Sequence, residues 1–534
     1  MKKIWGAILK IILHLITRPY LSVDKKAMAQ LKSTNPQLPI YERIDDLLKP
    51  GIPEMPGPGQ VWENTLGSVI VHPELCFMPS SLEALQDIVR NAELGGHKIR
   101  AIGSGHSFSD VAPSTDYLVF THDLNRSIPI DKNNLKQEAN SLKLFEVEAG
   151  IRLHDLNLLL DGQKLALTTM GSFDAQTIIG AISTGTHGTG YSAGSMSGMV
   201  RSIVLVSAGG NVSRIEPLNG ITDPGKPGQP GISLIQDDDL FYAVLVGLGC
   251  MGLIYSLVIE VSNAFWLDEQ RSYTNWHLVR PKLEDGGVIR ENQHYEVQVN
   301  PYTTIGSHSC LVTTQNIISE PSGNIPEPHG HRNYLAAFLD LIPEAPEVIR
   351  LYLDTFPKII PKTIDSALKS LRETSDYFNK SYQILYEGLP NFKKIGYASE
   401  FAFPLAGNRY LDAVDKIFEV VNTQQKNANK YIDSPISLRF VKSSPAYLSM
   451  DYDMDTCLLD IPTLFASRYS DQMLDILQDA MLALGGRPHW GKINNRQPEI
   501  VKNFYPKFPQ WKQARSRLDP KNIFSNDFTD RFGL

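Results

Sequence analysis

The chain reads as an α+β fold, and three observations carry that reading. A strand–helix–strand run opens the regular part of the sequence between Ser68 and Ile102. Glycine-rich loops then interrupt apolar runs up to about residue 262. Beyond that point the glycine loops thin out, and aromatic strands alternate with helical runs, the texture of an antiparallel sheet with helices. At 534 residues the chain exceeds one ordinary core, so two or three domains are expected. A net charge of −7 gives no basic footprint for nucleic acid. Cys76, Cys250, Cys310 and Cys457 are scattered without a C-x-x-C pair, which argues against a disulfide framework and against a structural zinc site.

The elements follow in order. Residues 1–20 predict a membrane-surface anchor helix. Lys3, Lys10 and His14 fall on one side, while Ile4, Trp5, Ile8, Ile11, Ile12 and Leu15 take the rest. The run is too short to span a bilayer comfortably and lacks a clear cleavage site for a signal peptide. Residues 21–60 read as a proline-rich linker. Ser68 to Val71 predicts a strand, and Ser80 with Glu83 has the spacing of a capping box. Leu82, Leu85, Ile88, Val89 and Ala92 make one helical face, which Gly95-Gly96 stops. Strands are expected at 98–102, 144–149, 200–208 and 252–261, with a short helix at 152–160. In the second half, strands are expected at 294–300, 399–403 and 436–441, with helices at 347–355 and 412–421. The domain boundaries implied are 61–262 and 263–480, with 481–534 as a returning C-terminal segment.

Chemistry concentrates in three places. Arg100-Ala101-Ile102-Gly103-Ser104-Gly105-His106-Ser107 is a strand running into a glycine turn that displays an imidazole. Successive backbone N–H groups in such a turn form an anion-binding concavity. It lacks the third glycine and the following helix of a Rossmann loop. The pairing of such a loop with a nucleophilic histidine suggests a pyrophosphate cofactor that is also bonded through a ring. Gly171 to Gly190 is dense in Gly, Ser and Thr yet flanked by apolar residues, so its backbone polar groups call for a large polar ligand. Arg487 to Lys492 brings Arg, His, Trp and Lys together within six positions.

With the tail Leu518 to Asn526, these segments resemble the FAD-linked oxidases of the vanillyl-alcohol oxidase class, closest to the gulonolactone, D-arabinono-1,4-lactone and alditol oxidases. The likeness runs from about residue 60 to the end. It implies a two-subdomain FAD-binding domain plus an antiparallel-sheet cap domain that holds substrate. It implies FAD, covalently attached through His106 and cradled by Arg100 to Ser107. Ser172, Thr177, Gly180, Thr184, Thr186, His187 and Gly188 would line the flavin and its ribityl and phosphate groups, and Gly252 to Ile254 would lie near the adenine. Gly171 stands where a small residue leaves room for O2. Lys492, Arg439 and His489 would carry the chemistry, with no metal. Substrate would meet Ser437, Arg439 and Glu400. The family's Glu-x-Arg is here Ser437-Leu438-Arg439, and Asp460 is a second departure. The implied reaction is oxidation of an alcohol carbon in a sugar lactone or alditol, with O2 reduced to H2O2. The alternatives are a sterol or other lipid alcohol, or a membrane-associated dehydrogenase using a quinone or cytochrome.

Overall fold

The helix Leu82–Gly95 shows how local chemistry sets the elements. The Ser81 side chain accepts from Ala84 N, and Gly96, at φ 74°, closes the helix in the left-handed region. The cap is thus Ser81, one residue later than the Ser80–Glu83 spacing suggests. Leu85, Val89 and Ala92 face inward and pack with Val204, Val206 and Leu253. The computed structural model describes residues 61–304, 306–323, 325, 345–372, 377–386 and 396–534.

Segments 1–20 and 21–60 lie outside the described residues. The expected association with a membrane surface is corrected: among the described residues no helix is long and apolar enough to cross a membrane.

Three sheets position the site. A three-stranded parallel sheet sets Tyr117–Phe120 between Leu75–Phe77 and Ile99–Ile102. A six-stranded sheet runs in the order Ser233–Gln236, Asn211–Glu216, Val200–Ser207, Leu253–Glu260, Leu144–Glu148, Ser127–Ile128. It is antiparallel except for the pairing of its first two strands. An eight-stranded antiparallel sheet follows. Its order is Tyr377–Lys380, Trp266–Asn275, His308–Ile318, His294–Thr303, Ile436–Val441, Thr456–Leu464, Gly396–Pro404, Arg487–Pro488.

Helices Arg409–Ala428 and Ser470–Ala483 pack on this large sheet, burying Val414, Ile417 and Val421 from one and Met473, Leu477 and Met481 from the other. Both are apolar at helical spacing, so burial of one stripe holds them. The 171–190 stretch, read as a loop throughout, contains a short helix, Ile178–Ser183, which Thr177 caps. Its Ile178, Ile179, Ala181 and Ile182 are buried, and that apolar run is what makes it helical.

Candidate active site

The glycine loop leaves the parallel sheet at Ile102, so Ala101 and Ile102 are strand residues and Gly103 begins the turn. Gly105 adopts φ 68°, a conformation that favours glycine. Asn64 Nδ2 donates to the Ser107 carbonyl at 2.9 Å, and Trp62 packs behind Gly105. The Arg100 guanidinium is not directed at a ligand. It is buried and donates to the carbonyls of Ala112, Val111, Leu248 and Phe524. Its side chain clamps the loop from behind.

The second loop closes on the first. A side chain at Gly103 would strike Thr177 Oγ1, and the rings of His106 and Phe173 lie 5.8 Å apart. Thr177 Oγ1 accepts from Gly180 N at 3.3 Å, and Thr184 Oγ1 donates to the Gly180 carbonyl at 3.0 Å. A Cβ at Gly171 would stand 2.9 Å from the Thr186 methyl. Ser172 is half-buried on this loop, and Ile254 is half-buried in the strand Leu253–Glu260. The third motif joins from the C-terminal side. Phe108 N donates to the Gly491 carbonyl at 2.7 Å, and Ser109 Oγ to the Trp490 carbonyl at 2.6 Å.

Ser104 Oγ, Thr169 Oγ1 and Gln176 Oε1 are buried without a hydrogen-bond partner. Such groups are costly unless a ligand or water satisfies them. Their place on two facing glycine-rich loops fits a large polar group such as FAD. Burial pushes the His106 imidazole down to about 4, so it stands neutral and nucleophilic at physiological pH.

Opposite the loops lies one face of the eight-stranded sheet. Directly paired residues of neighbouring strands share a face. Register therefore aligns Gln298, Ser437, Asp460 and Glu400 in one row across four strands. The next row holds Glu296 beside Arg439. Lys492 Nζ sits 2.9 Å from Glu400 Oε2 and 2.9 Å from Asp460 Oδ1. His187 Nδ1 meets the Gly188 carbonyl at 3.0 Å, while its Nε2 meets the same Glu400 Oε2 at 3.3 Å. Both ring nitrogens of His187 thus face acceptor oxygens.

Burial opposes the charged form of Glu400, but Lys492 and His187 outweigh it and hold the carboxyl well below the usual range. Burial also opposes the Lys492 charge, and Asp460 and Glu400 reverse that and raise it. Burial lifts the Asp460 carboxyl above its ordinary value, with Lys492 opposing and Glu400 adding. His489 is pushed down to about 3 by burial, against the pull of Glu400. Its Nδ1 accepts from Gly491 N at 2.9 Å, so the neutral ring carries its proton on Nε2 and donates there. His187, Glu400 and His489 offer ligand atoms within 4.8 Å of one another. The Lys492 ammonium already takes the place beside the Glu400 oxygen that a metal ion would want.

Sequence reasoning missed Glu296. It accepts from Ser437 Oγ and from Arg439 Nε, the latter at 3.2 Å. It also missed His294, whose Nδ1 meets Thr189 Oγ1 at 3.2 Å and ties the second loop to the sheet. The alternation His294-Tyr-Glu296-Val-Gln298 carried a signal, because its polar members fall on one strand face.

Comparison with known proteins agrees with this architecture. A model described as "FAD binding domain" matches residues 73–216, and one described as "D-arabinono-1,4-lactone oxidase" matches residues 258–532. The chain is 27% identical over 479 residues to the L-gulono-1,4-lactone dehydrogenase of Mycobacterium tuberculosis, covering 88% of this chain and 98% of that protein. It is 24% identical to the L-gulonolactone oxidase of Scyliorhinus torazame, covering 89% and 98%. It is also 24% identical to a putative D-arabinono-1,4-lactone oxidase of Neurospora crassa, covering 89% and 85%. Among solved structures, a cholesterol oxidase from B. sterolicum superposes with a TM-score of 0.70 at 14% identity, over 93% of this chain and 99% of that one, a likeness of fold. With its FAD-binding domain and the antiparallel sheet that faces it, the chain belongs to the D-arabinono-1,4-lactone oxidase family of FAD-dependent oxidoreductases.

Proposed function

We propose that this chain oxidises an alcohol carbon of a sugar lactone such as D-arabinono-1,4-lactone, with O2 as the electron acceptor. The observation that carries the reading is the meeting of the His106 loop with a buried polar sheet face centred on Lys492, Arg439 and Glu400. FAD, when bound, would supply the acceptor for the hydride of the alcohol carbon, which carries both electrons, while the hydroxyl proton passes to water. The domains follow the sequence: 61–262 for FAD, 263–480 for substrate, and 481–534 returning to the flavin.

Each side chain has one task. His106 is the covalent anchor, a role supported by its neutral ring. Lys492, fixed between two carboxylates, is a permanent cation and not a base. It stabilises negative charge that develops on the substrate oxygen or on the isoalloxazine. Arg439 orients the substrate oxygen, and His489 donates from Nε2. Glu400 positions Lys492 and His187. Ser104, Ser107, Ser172, Thr177, Thr184 and Thr186, with the glycines between them, hold the phosphate and ribityl groups. Gly171 keeps a path for O2. A larger side chain there would press on Thr186.

A second reading, a sterol or other lipid alcohol, draws support from Ser437 where the family carries a glutamate. A dehydrogenase reading draws support from the relative named for that activity. Flavin bleaching separates all three. Under anaerobic conditions D-arabinono-1,4-lactone or L-gulono-1,4-lactone bleaches the flavin and cholesterol does not. Admission of air restores the yellow colour within seconds with stoichiometric H2O2. Reduced flavin that persists for minutes in air means a dehydrogenase. Acid-precipitated wild type stays yellow, and His106→Ala releases its flavin into the supernatant. A colourless wild-type pellet removes the covalent bond.

A further inference from the structure

We propose that Asp460 is the specificity-determining carboxylate of this site, gripping hydroxyl groups of a polyhydroxylated substrate in place of the glutamate that Ser437 lacks. The inference rests on the sugar-lactone reading and names the residue that would make it selective.

Ser437 is left with little to offer. Its hydroxyl proton is spent on Glu296, which also accepts from Arg439. Glu296 shares this face but is only 5% exposed and is taken up by Ser437 and Arg439, and Glu400 is fully buried at 0%. The charged groups on this face that reach the surface are Lys492 at 19%, Arg439 at 15% and Asp460 at 13%, beside the half-buried Gln298. Asp460 is thus the carboxylate that faces outward. It is the direct cross-strand partner of Ser437, so its carboxylate stands one strand away from the position the sequence leaves short.

Its chemistry suits the task. Oδ1 takes the Lys492 ammonium, and Oδ2 accepts no hydrogen bond among the described residues. Lys492 already has a counter-ion in Glu400 at 2.9 Å. A second carboxylate on the same ammonium therefore exceeds what charge neutrality asks of the pair. A carboxylate with an open oxygen beside a cation accepts hydroxyl donors strongly, and two adjacent hydroxyls can share its two oxygens. A sterol offers one hydroxyl on an apolar skeleton and could not satisfy both the buried, unpartnered Gln298 Oε1 and the open Asp460 Oδ2. The chemistry named is therefore a ligand with several neighbouring hydroxyls.

The test is binding, read apart from turnover. The anaerobic protein with its FAD chemically reduced, which cannot oxidise an alcohol, is titrated calorimetrically with D-arabinono-1,4-lactone, which carries adjacent hydroxyls at C2 and C3, and with its 2-deoxy analogue, which has lost that adjacency. Asp460→Asn keeps the shape and removes the charge. Affinity for the hydroxyl-rich probe falls about tenfold or more, the scale of a lost hydrogen bond to a charged group. The gap between the two probes shrinks in the variant, a change that a merely structural Asp460 would not produce. With D-arabinono-1,4-lactone itself, KM rises more than kcat falls. Asp460→Ser is the second variant should the asparagine fail to load FAD, and the wild-type gap between probes stands without any variant. Equal wild-type affinity for both probes, or equal affinity in wild type and Asp460→Asn, overturns the proposal while lactone oxidation stands. A wild type that binds and oxidises no lactone overturns both.

Discussion

His294 carries a consequence for stability at the scale of one residue. It is buried, and burial pushes its imidazole down to about 4 from an ordinary 6.5. The unfolded chain therefore takes up a proton between pH 6.5 and 4 that the folded chain refuses, so stability is full above 6.5 and falls as the pH drops through that window. The slope is at most about 1.4 kcal/mol per pH unit for one such group. His294→Asn flattens the fall of Tm between pH 6.5 and 4.5 without abolishing it, because His489 is depressed in the same direction. An unchanged slope in thermal melts would refute the assignment. Lys492→Met lowers kcat by about a hundredfold or more with a smaller change in KM, the signature of charge stabilised late in the reaction, and stopped-flow flavin reduction measures it. Lys492, His489 and Arg439 were legible because they stand in or beside a short motif. Glu296 was not, because its meeting with Ser437 is a matter of strand register between segments 141 residues apart. Local spacing holds no record of that register.

Elements were legible where one periodicity ran unopposed. The strand Ile436–Val441 matches its sequence reading residue for residue. The helix read at 412–421 extends over Arg409–Ala428, since the buried Tyr410 and Leu411 carry its apolar stripe toward the N-terminus and polar residues continue it past Val421 without a breaker. The short helix Ile178–Ser183 was masked by its surroundings of Gly, Ser and Thr. Two glycines separate the causes that hold such elements in place. A Cβ at Gly150 would come within 1.7 Å of the Thr121 carbonyl oxygen, a backbone atom with no means of yielding. At Gly96 nothing lies within 4 Å, and only its φ of +74° opposes a side chain. Gly150→Ala therefore yields no soluble folded protein, whereas Gly96→Ala folds and loses about 1 kcal/mol. Soluble expression and thermal melts compare the two, and a well-folded Gly150→Ala would contradict the close approach.

At the scale of the whole molecule, the C-terminal tail laces the first domain's loop in place. Ile99 N donates to the Ile523 carbonyl at 2.8 Å, and the Arg100 guanidinium to the Phe524 carbonyl at 2.8 Å. Asn526 Nδ2 bonds the Pro113 carbonyl at 2.8 Å, and Arg531 pairs with Asp110 at 2.6 Å. The turn that presents these groups is itself held by Asp519, which accepts from Ile523 N and Phe524 N, each at 2.9 Å. The contacts between tail and loop each join residues more than 400 positions apart, so the segment that presents His106 is completed only when the last residues are folded. Removal of residues 519–534 leaves Lys492, His489 and Arg439 in the chain yet strips Arg100 of its Phe524 partner. The truncated protein is expected to lose its flavin, read as the 450 nm to 280 nm absorbance ratio of purified protein. Asp519→Ala is the graded version, with the tail present but its turn unpinned, and costs about 1–3 kcal/mol in thermal stability. A truncated chain that keeps full flavin content would show that the His106 loop stands without the tail.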